Sequence, residues 1–141
     1  MRTLDQGPLL ALVGYNARRA YLPIHQLFAK RMARFALKPA EFSALALIAH
    51  NQPVTQKELA AALSIPAPNM VVLLDKLEAR GVVERVQSSA DKRVWLISTS
   101  AKGRSLAKAS TAVAEALELE ASAALSAAER AQLITLLQRM F

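Results

Sequence analysis

No cysteine occurs in the 141 residues, which excludes disulfides, thiolate metal sites and thiol-based redox sensing. Histidine is nearly as scarce, with His25 and His50 the only two. Without a Gly-rich phosphate loop or a carboxylate pair in a site context, the usual catalytic constellations are missing. The chain therefore reads as a non-enzyme with no cofactor and no metal. Long apolar runs are absent too. The patch at residues 9–13 is cut short by Asn16, Arg18 and Arg19, too short for a membrane span and without a clear signal-cleavage region. The expectation is a soluble, cytoplasmic protein with no membrane partner.

Acid is also in short supply, with 11 Asp+Glu against 18 Lys+Arg and a net charge of +7. Such a balance favours a polyanionic partner, nucleic acid or an anionic membrane surface. The excess is uneven: residues 1–104 hold 15 bases and 7 acids, whereas residues 105–141 hold 3 bases and 4 acids. The last segment is thus outside the electrostatic footprint. Hydrophobic residues make up 53%, enough for a packed core in a chain of single-domain length. No period of 20–50 residues repeats.

What is present is mostly helical. From Pro8, the residues Leu9, Val13, Ala17, Ala20, Ile24, Leu27, Phe28 and Met32 recur at helical spacing. This predicts one long helix that Pro23 bends or locally breaks. A second helix opens at Pro39 and runs to about His50. Thr55-Gln56-Lys57-Glu58 is a capping box for a short helix. Pro68 can start the next, with an inward stripe of Met70, Leu73, Leu74 and Leu77 that Gly81 ends. Two short helices joined by a tight turn describe a helix-turn-helix.

VVERVQ and RVWLIS then predict two strands, joined by a tip within QSSADKRVW that carries an acid and two bases. A two-residue turn cannot hold that tip, so it is expected to project as a loop: a wing. A long alanine-rich helix follows from about 101 to 122, and Ser126-Ala127-Ala128-Glu129 caps a last one.

The run over residues 37–103, with LKPAEFSALALI, TQKELAAAL, LLDKLEARGVVER, ADKR and TSAKG, resembles the MarR family of winged-helix transcriptional regulators. The family pattern sets T-x-x-x-L-A, L-E-x-x-G-hydrophobic-hydrophobic-x-R, D-x-R and T-x-x-G in that order. Here these fall on residues 55–60, 77–85, 91–93 and 100–103. The chain departs from the pattern at Ser100, which replaces threonine as a conservative cap. It departs again at Pro66-Ala67-Pro68-Asn69-Met70-Val71-Val72, where the family commonly has Ser, Thr, Arg or Lys. Few polar side chains remain there to read bases.

The resemblance implies a mainly α fold with a small β-hairpin wing (α+β). A winged helix-turn-helix core over 37–100 would be flanked by dimerisation helices at 1–36 and 101–141. It also implies a sequence-specific regulator that binds double-stranded DNA, a homodimeric repressor released by a small aromatic or anionic ligand. In such a fold the first turns of the recognition helix enter the major groove. Asn69 suits adenine, and Ala67, Pro68 or Val72 suit thymine methyls. The competing reading makes Val71 and Val72 core and Asn69 a plain helix-start residue. Thr55, Lys57 and Lys76 are further candidate DNA contacts, the lysines to phosphate or else simply solvated.

In the family the arginine of D-x-R reaches toward the minor groove, where narrow AT-rich segments concentrate negative potential. Here that residue is Arg93, with Ser89 and Lys92 beside it. Asp91 would repel phosphate, so its expected role is to accept a bond from Arg93 or the loop backbone and fix the wing. The alternative is a solvated charge cluster. The terminal helices carry more apolar surface than a small winged core can cover, so Leu9, Val13, Leu133, Leu137 and Met140 are expected in a two-fold dimer on a near-palindromic operator. Arg18, Tyr21, His25, Phe28, Leu45 and Ile48 are candidate effector contacts. Equally, the aromatic group is core, His25 is satisfied by one hydrogen bond, and Arg18 and Arg19 serve surface salt bridges. A rival function is a winged-helix module that binds protein instead of DNA.

Overall fold

The computed structural model describes residues 2–141. In chain order the elements are α1 (Gly7–Leu10), α2 (Val13–Met32), a 3-10 turn (Ala33–Phe35), α3 (Pro39–Asn51), β1 (Val54–Thr55) and α4 (Gln56–Ala62). They continue with α5 (Ala67–Ala79), β2 (Val83–Gln87), β3 (Trp95–Thr99), α6 (Ala101–Ala121) and α7 (Ala127–Gln138). Two compact units result, one from residues up to Arg31 together with Ala114–Phe141, the other from Met32–Val113. The architecture is mainly helical with a small antiparallel sheet, as the sequence predicts.

The second unit is the winged helix. The α5 stripe is fully realised: Met70, Leu74 and Leu77 are 0% exposed and Leu73 8%. It packs in one cluster with Leu45 and Ile48 of α3, Leu59 of α4 and Ile97 of β3. Each such side chain contributes about 1.5–3 kcal/mol on burial, so the stripe is a substantial part of the unit's stability. Thr55 caps α4 as its sequence signature requires: its hydroxyl accepts from the Glu58 amide at 3.3 Å, and the Glu58 carboxylate accepts from the Thr55 amide at 2.7 Å. Gly81, at φ +67, ends α5. The Gly81 N–H donates to Glu78 and the Val82 N–H to Leu77, closing the last turn in the left-handed cap geometry that glycine adopts without strain.

The sheet has strand order β1-β3-β2. The β2–β3 register sets Val83 opposite Thr99, Arg85 opposite Ile97 and Gln87 opposite Trp95. The third strand is a finding that the sequence does not announce. Only two residues long, it pairs Val54 with Ile97 and Thr55 with Leu96, and its residues read locally as a turn and a helix cap. Beyond its end, the Gln52 side-chain oxygen takes the place of a backbone acceptor, receiving the Thr99 N–H at 2.9 Å and hydroxyl at 2.7 Å.

The N-terminal region corrects another expectation. The predicted long helix is interrupted, but at Ala11–Leu12, and α2 stays helical through Pro23. The Asn16 amide explains the break, donating at 2.8 Å to the carbonyls of both Leu10 and Leu12. Pro23 removes the donor to the Arg19 carbonyl, but both residues are exposed, where solvent can satisfy that carbonyl. Among the described residues no single helix is long and apolar enough to cross a membrane.

Candidate nucleic-acid interface

The recognition helix α5 presents an exposed face opposite its buried stripe. Ala67, Pro68, Asn69, Val72 and Lys76 all lie on it, and the Lys57 side chain of α4 is exposed as well. Val71 is 38% and Val72 55% exposed, so neither is core. Asn69, Val72 and Lys76 come together along a groove of about 320 Å³ that Lys38 and Pro66 also line. Thr55 is differently placed. Its hydroxyl donates to the Glu58 carboxylate at 2.8 Å as well as capping α4, so its proton is committed within the protein. The thread of hydrogen bonds from Thr55 holds the Glu58 carboxyl below the usual range, the backbone N–H contributing most.

The wing loop spans residues 88–94 and is organised by Asp91. One carboxylate oxygen accepts the Arg93 backbone N–H at 3.0 Å and its Nε at 3.1 Å, and the other accepts Nη2 at 3.1 Å. Ser88 closes the loop from the other side: its N–H donates to the Val94 carbonyl at 2.8 Å and its hydroxyl accepts the Ala90 N–H at 3.2 Å. Ser89 and Lys92 are exposed on the same loop. Arg93 is held by its neighbour yet its side chain is 91% exposed. A guanidinium has five N–H donors, so those not engaged by Asp91 remain directed to solvent. The loop thus offers an oriented cation whose position is set in advance.

Asp91 is held below the ordinary carboxylate range, chiefly by the Arg93 side chain and then by its backbone N–H. A lowered folded-state pKa supports the closed loop above the ordinary value, and that support is lost as pH falls through the lowered one. The loop is therefore expected to stay closed from neutral pH down to about pH 4 and to open only below it. The Arg93 amide resonance, followed by NMR in an acid titration, reads this directly; a transition near neutral pH would contradict it.

A second charged group was missed by sequence reasoning. Arg85 of β2 ion-pairs with both Asp75 and Glu78 of α5, donating its Nε to Glu78 at 2.8 Å. Both carboxylates raise the pKa of Arg85, Glu78 the more strongly. This triad fixes the base of the wing to the flank of the recognition helix. The available signal was Asp75 and Glu78 at i, i+3 on one helix face, with the arginine of LEARGVVER following.

The remaining candidates divide between the units. Arg18, Tyr21 and His25 are exposed and Phe28 half-buried, all on α2. Tyr21 Oη and His25 Nδ1 are hydrogen-bonded at 3.1 Å, with ring centroids 5.4 Å apart. Tyr21 and His25 are therefore surface residues and not core. Arg19 leans on Tyr15, 5.9 Å from the ring centroid. Leu45 and Ile48 are 0% exposed in the core of the winged unit, where they carry packing and present no surface. Leu9, Val13, Leu133, Leu137 and Met140 are exposed by 40% to 66%.

The family model for the MarR family matches residues 37–94. A putative transcriptional regulatory protein for the hcr operon of Thauera aromatica is 29% identical over 140 residues, covering 98% of this chain and 84% of its own length. Among solved structures, the transcriptional repressor CouR bound to a 23-mer DNA duplex is similar at a TM-score of 0.93 and 32% identity, with 99% of each chain covered. A Mycobacterium tuberculosis MarR family protein in complex with p-aminosalicylic acid is similar at a TM-score of 0.74 and 26% identity, covering 92% of this chain and 98% of its own.

Proposed function

Because the chain belongs to the MarR family of winged-helix transcriptional regulators, we propose that it is a homodimeric repressor that binds a near-palindromic double-stranded DNA operator. The observation that carries this reading is the pairing of an exposed recognition-helix face with a wing whose Arg93 is oriented by Asp91. In this reading residues 37–100 read DNA, while 1–36 and 101–141 pair two copies. One helix and one wing offer little area for specific binding. Two copies related by a two-fold axis place their recognition helices about one DNA turn, roughly 34 Å, apart. The uncovered apolar side chains at Leu9, Val13, Leu133, Leu137 and Met140 support that pairing.

Recognition is divided unevenly between the two contacts. Asn69 is the one amide in the opening turn of α5 and reads adenine; Ala67, Pro68 and Val72 supply apolar contact to thymine methyls. With so few polar readers, the wing carries a large share of binding through Arg93 in the minor groove, with Ser89 and Lys92 on the adjacent backbone. Lys57 and Lys76 meet phosphates, and Thr55 does so only after yielding its hydroxyl from Glu58. Release follows binding of a small aromatic or anionic effector near Arg18, Tyr21, His25 and Phe28. The complex of a family relative with p-aminosalicylic acid supports that ligand class.

A gel shift on the DNA upstream of its own gene tests the proposal. Wild type should be retained, and Arg93→Ala should bind about tenfold more weakly, the scale of a lost charge-assisted contact. Unchanged affinity in the variant removes the wing assignment. The apolar face at Val71 and Val72 favours one second reading, a winged module that docks protein; it predicts no retention of any DNA.

A further inference from the structure

Trp95 lies outside every motif that marks the family, yet it sits where the wing meets the recognition helix. It is the chain's one tryptophan and is 50% exposed. Half-exposure alone is ordinary for a single large side chain; what marks Trp95 is its place and its indole N–H. Its indole N–H has no acceptor among the described residues. Trp95 is opposite Gln87 in the last pair of the β2–β3 ladder. On the other edge of β3, Thr55 pairs with Leu96, so the next residue, Gln56, falls level with Trp95. Gln56, Glu78, Arg85, Trp95 and Ile97 line one open groove of about 260 Å³.

The groove draws its lining from three elements of the proposed DNA-binding surface. It touches the start of α4 beside Lys57, the flank of α5, and the base of the loop that carries Arg93. Its chemistry selects among occupants. Asp75 and Glu78 disfavour a free small anion, although Arg85 bridges both. The apolar part of the lining is the Trp95 ring and Ile97, with the Trp95 N–H and the Gln56 amide as its neutral donors; that combination suits the deoxyribose of a DNA strand, whose charge is confined to the phosphates on either side. Phosphate and sugar contacts of this kind fix the register of a protein on its duplex.

We propose that Trp95 is a DNA-backbone contact: its ring packs on a deoxyribose and its N–H donates to a phosphate oxygen of the strand that passes from the recognition helix to the wing. The proposal rests on the DNA-binding reading above. It makes Trp95 a positioning contact that couples the major-groove and minor-groove elements.

The test uses the full-length protein and the upstream duplex retained in the gel shift. Tryptophan emission, which comes from Trp95 alone, should become shielded from acrylamide when the duplex binds. Trp95→Ala should weaken binding about tenfold, the scale of a hydrogen bond to a charged group, and Trp95→Phe less, because it keeps the ring. Neither should change the salt dependence, since a neutral donor releases no counterion. Where Trp95→Ala melts early, Trp95→Phe and the wild-type quenching decide the matter. Retention of wild type with unshielded emission and unaltered variants overturns the proposal and leaves DNA binding standing. Emission shielded by a cationic ligand or a protein but not by DNA overturns it likewise. Loss of retention by wild type itself removes the DNA-binding reading and this contact with it.

Discussion

Gly103→Ala is expected to lower stability by about 3 kcal/mol or more, beyond the usual cost of an overpacked core. In a chain of this size that is a fall of about 10 °C in Tm. A Cβ on Gly103 would lie 1.8 Å from the Val82 carbonyl oxygen and 2.8 Å from its carbon. Both are backbone atoms at the α5–β2 junction, so no side-chain rotation relieves the clash. The first turn of α6 would have to lift away. Lifting it breaks the Ser100 N–H bond to Val82 at 3.2 Å, the Ser100 hydroxyl bond to Gly81 at 2.6 Å, and the Lys102 bond to the Arg80 carbonyl at 2.9 Å. Gly81 is the control. A Cβ there meets nothing within 4 Å but must adopt φ +67, at a cost of about 1–2 kcal/mol. Thermal melts followed by circular dichroism separate the two. Equal losses for both variants would mean that conformational freedom, and not close approach, is what Gly103 provides.

Binding to the operator is expected to fall by ~10³–10⁵ in affinity between ~50 and ~200 mM salt, the signature of a protein that neutralises ~6–10 phosphates. Lys57, Lys76, Lys92 and Arg93 are exposed on the proposed interface of one chain, so a dimer brings ~8 cations to the duplex, within that range. Lys92→Ala should reduce the slope by about two, one counterion for each copy. Fluorescence anisotropy of a labelled duplex over a salt series measures both quantities. A flat salt dependence contradicts the phosphate contacts, whatever the affinity. The acidic balance of residues 105–141 makes them bystanders here, and neutral substitutions there should leave the slope alone.

Arg93 and Asp91 illustrate what a linear reading reaches easily. They are two residues apart, and the chemistry that joins them is local: a carboxylate bonding a nearby N–H and its own neighbour's side chain. Trp95 and Gln56 illustrate the opposite. Nothing in either segment announces the other, because their adjacency depends on a two-residue strand whose pairing with β3 exists only in the folded chain. The Arg85 triad lies between these cases. The helix face bearing Asp75 and Glu78 can be drawn from spacing, but the partner becomes visible only when β2 folds back against it.

The sequence by itself determined the helix-turn-helix, the wing and the caps at Thr55, Gly81 and Ser126, since each depends on periodicity or on hydrogen bonds within a few residues. It also determined the inward stripe of α5, because burial follows the 3.6-residue repeat. Tertiary structure alone decided that α2 passes through Pro23. It alone decided why residue 103 is glycine, and that Trp95 stands half exposed between α4, α5 and the wing. These depend on which distant backbone lies opposite, which no local pattern encodes.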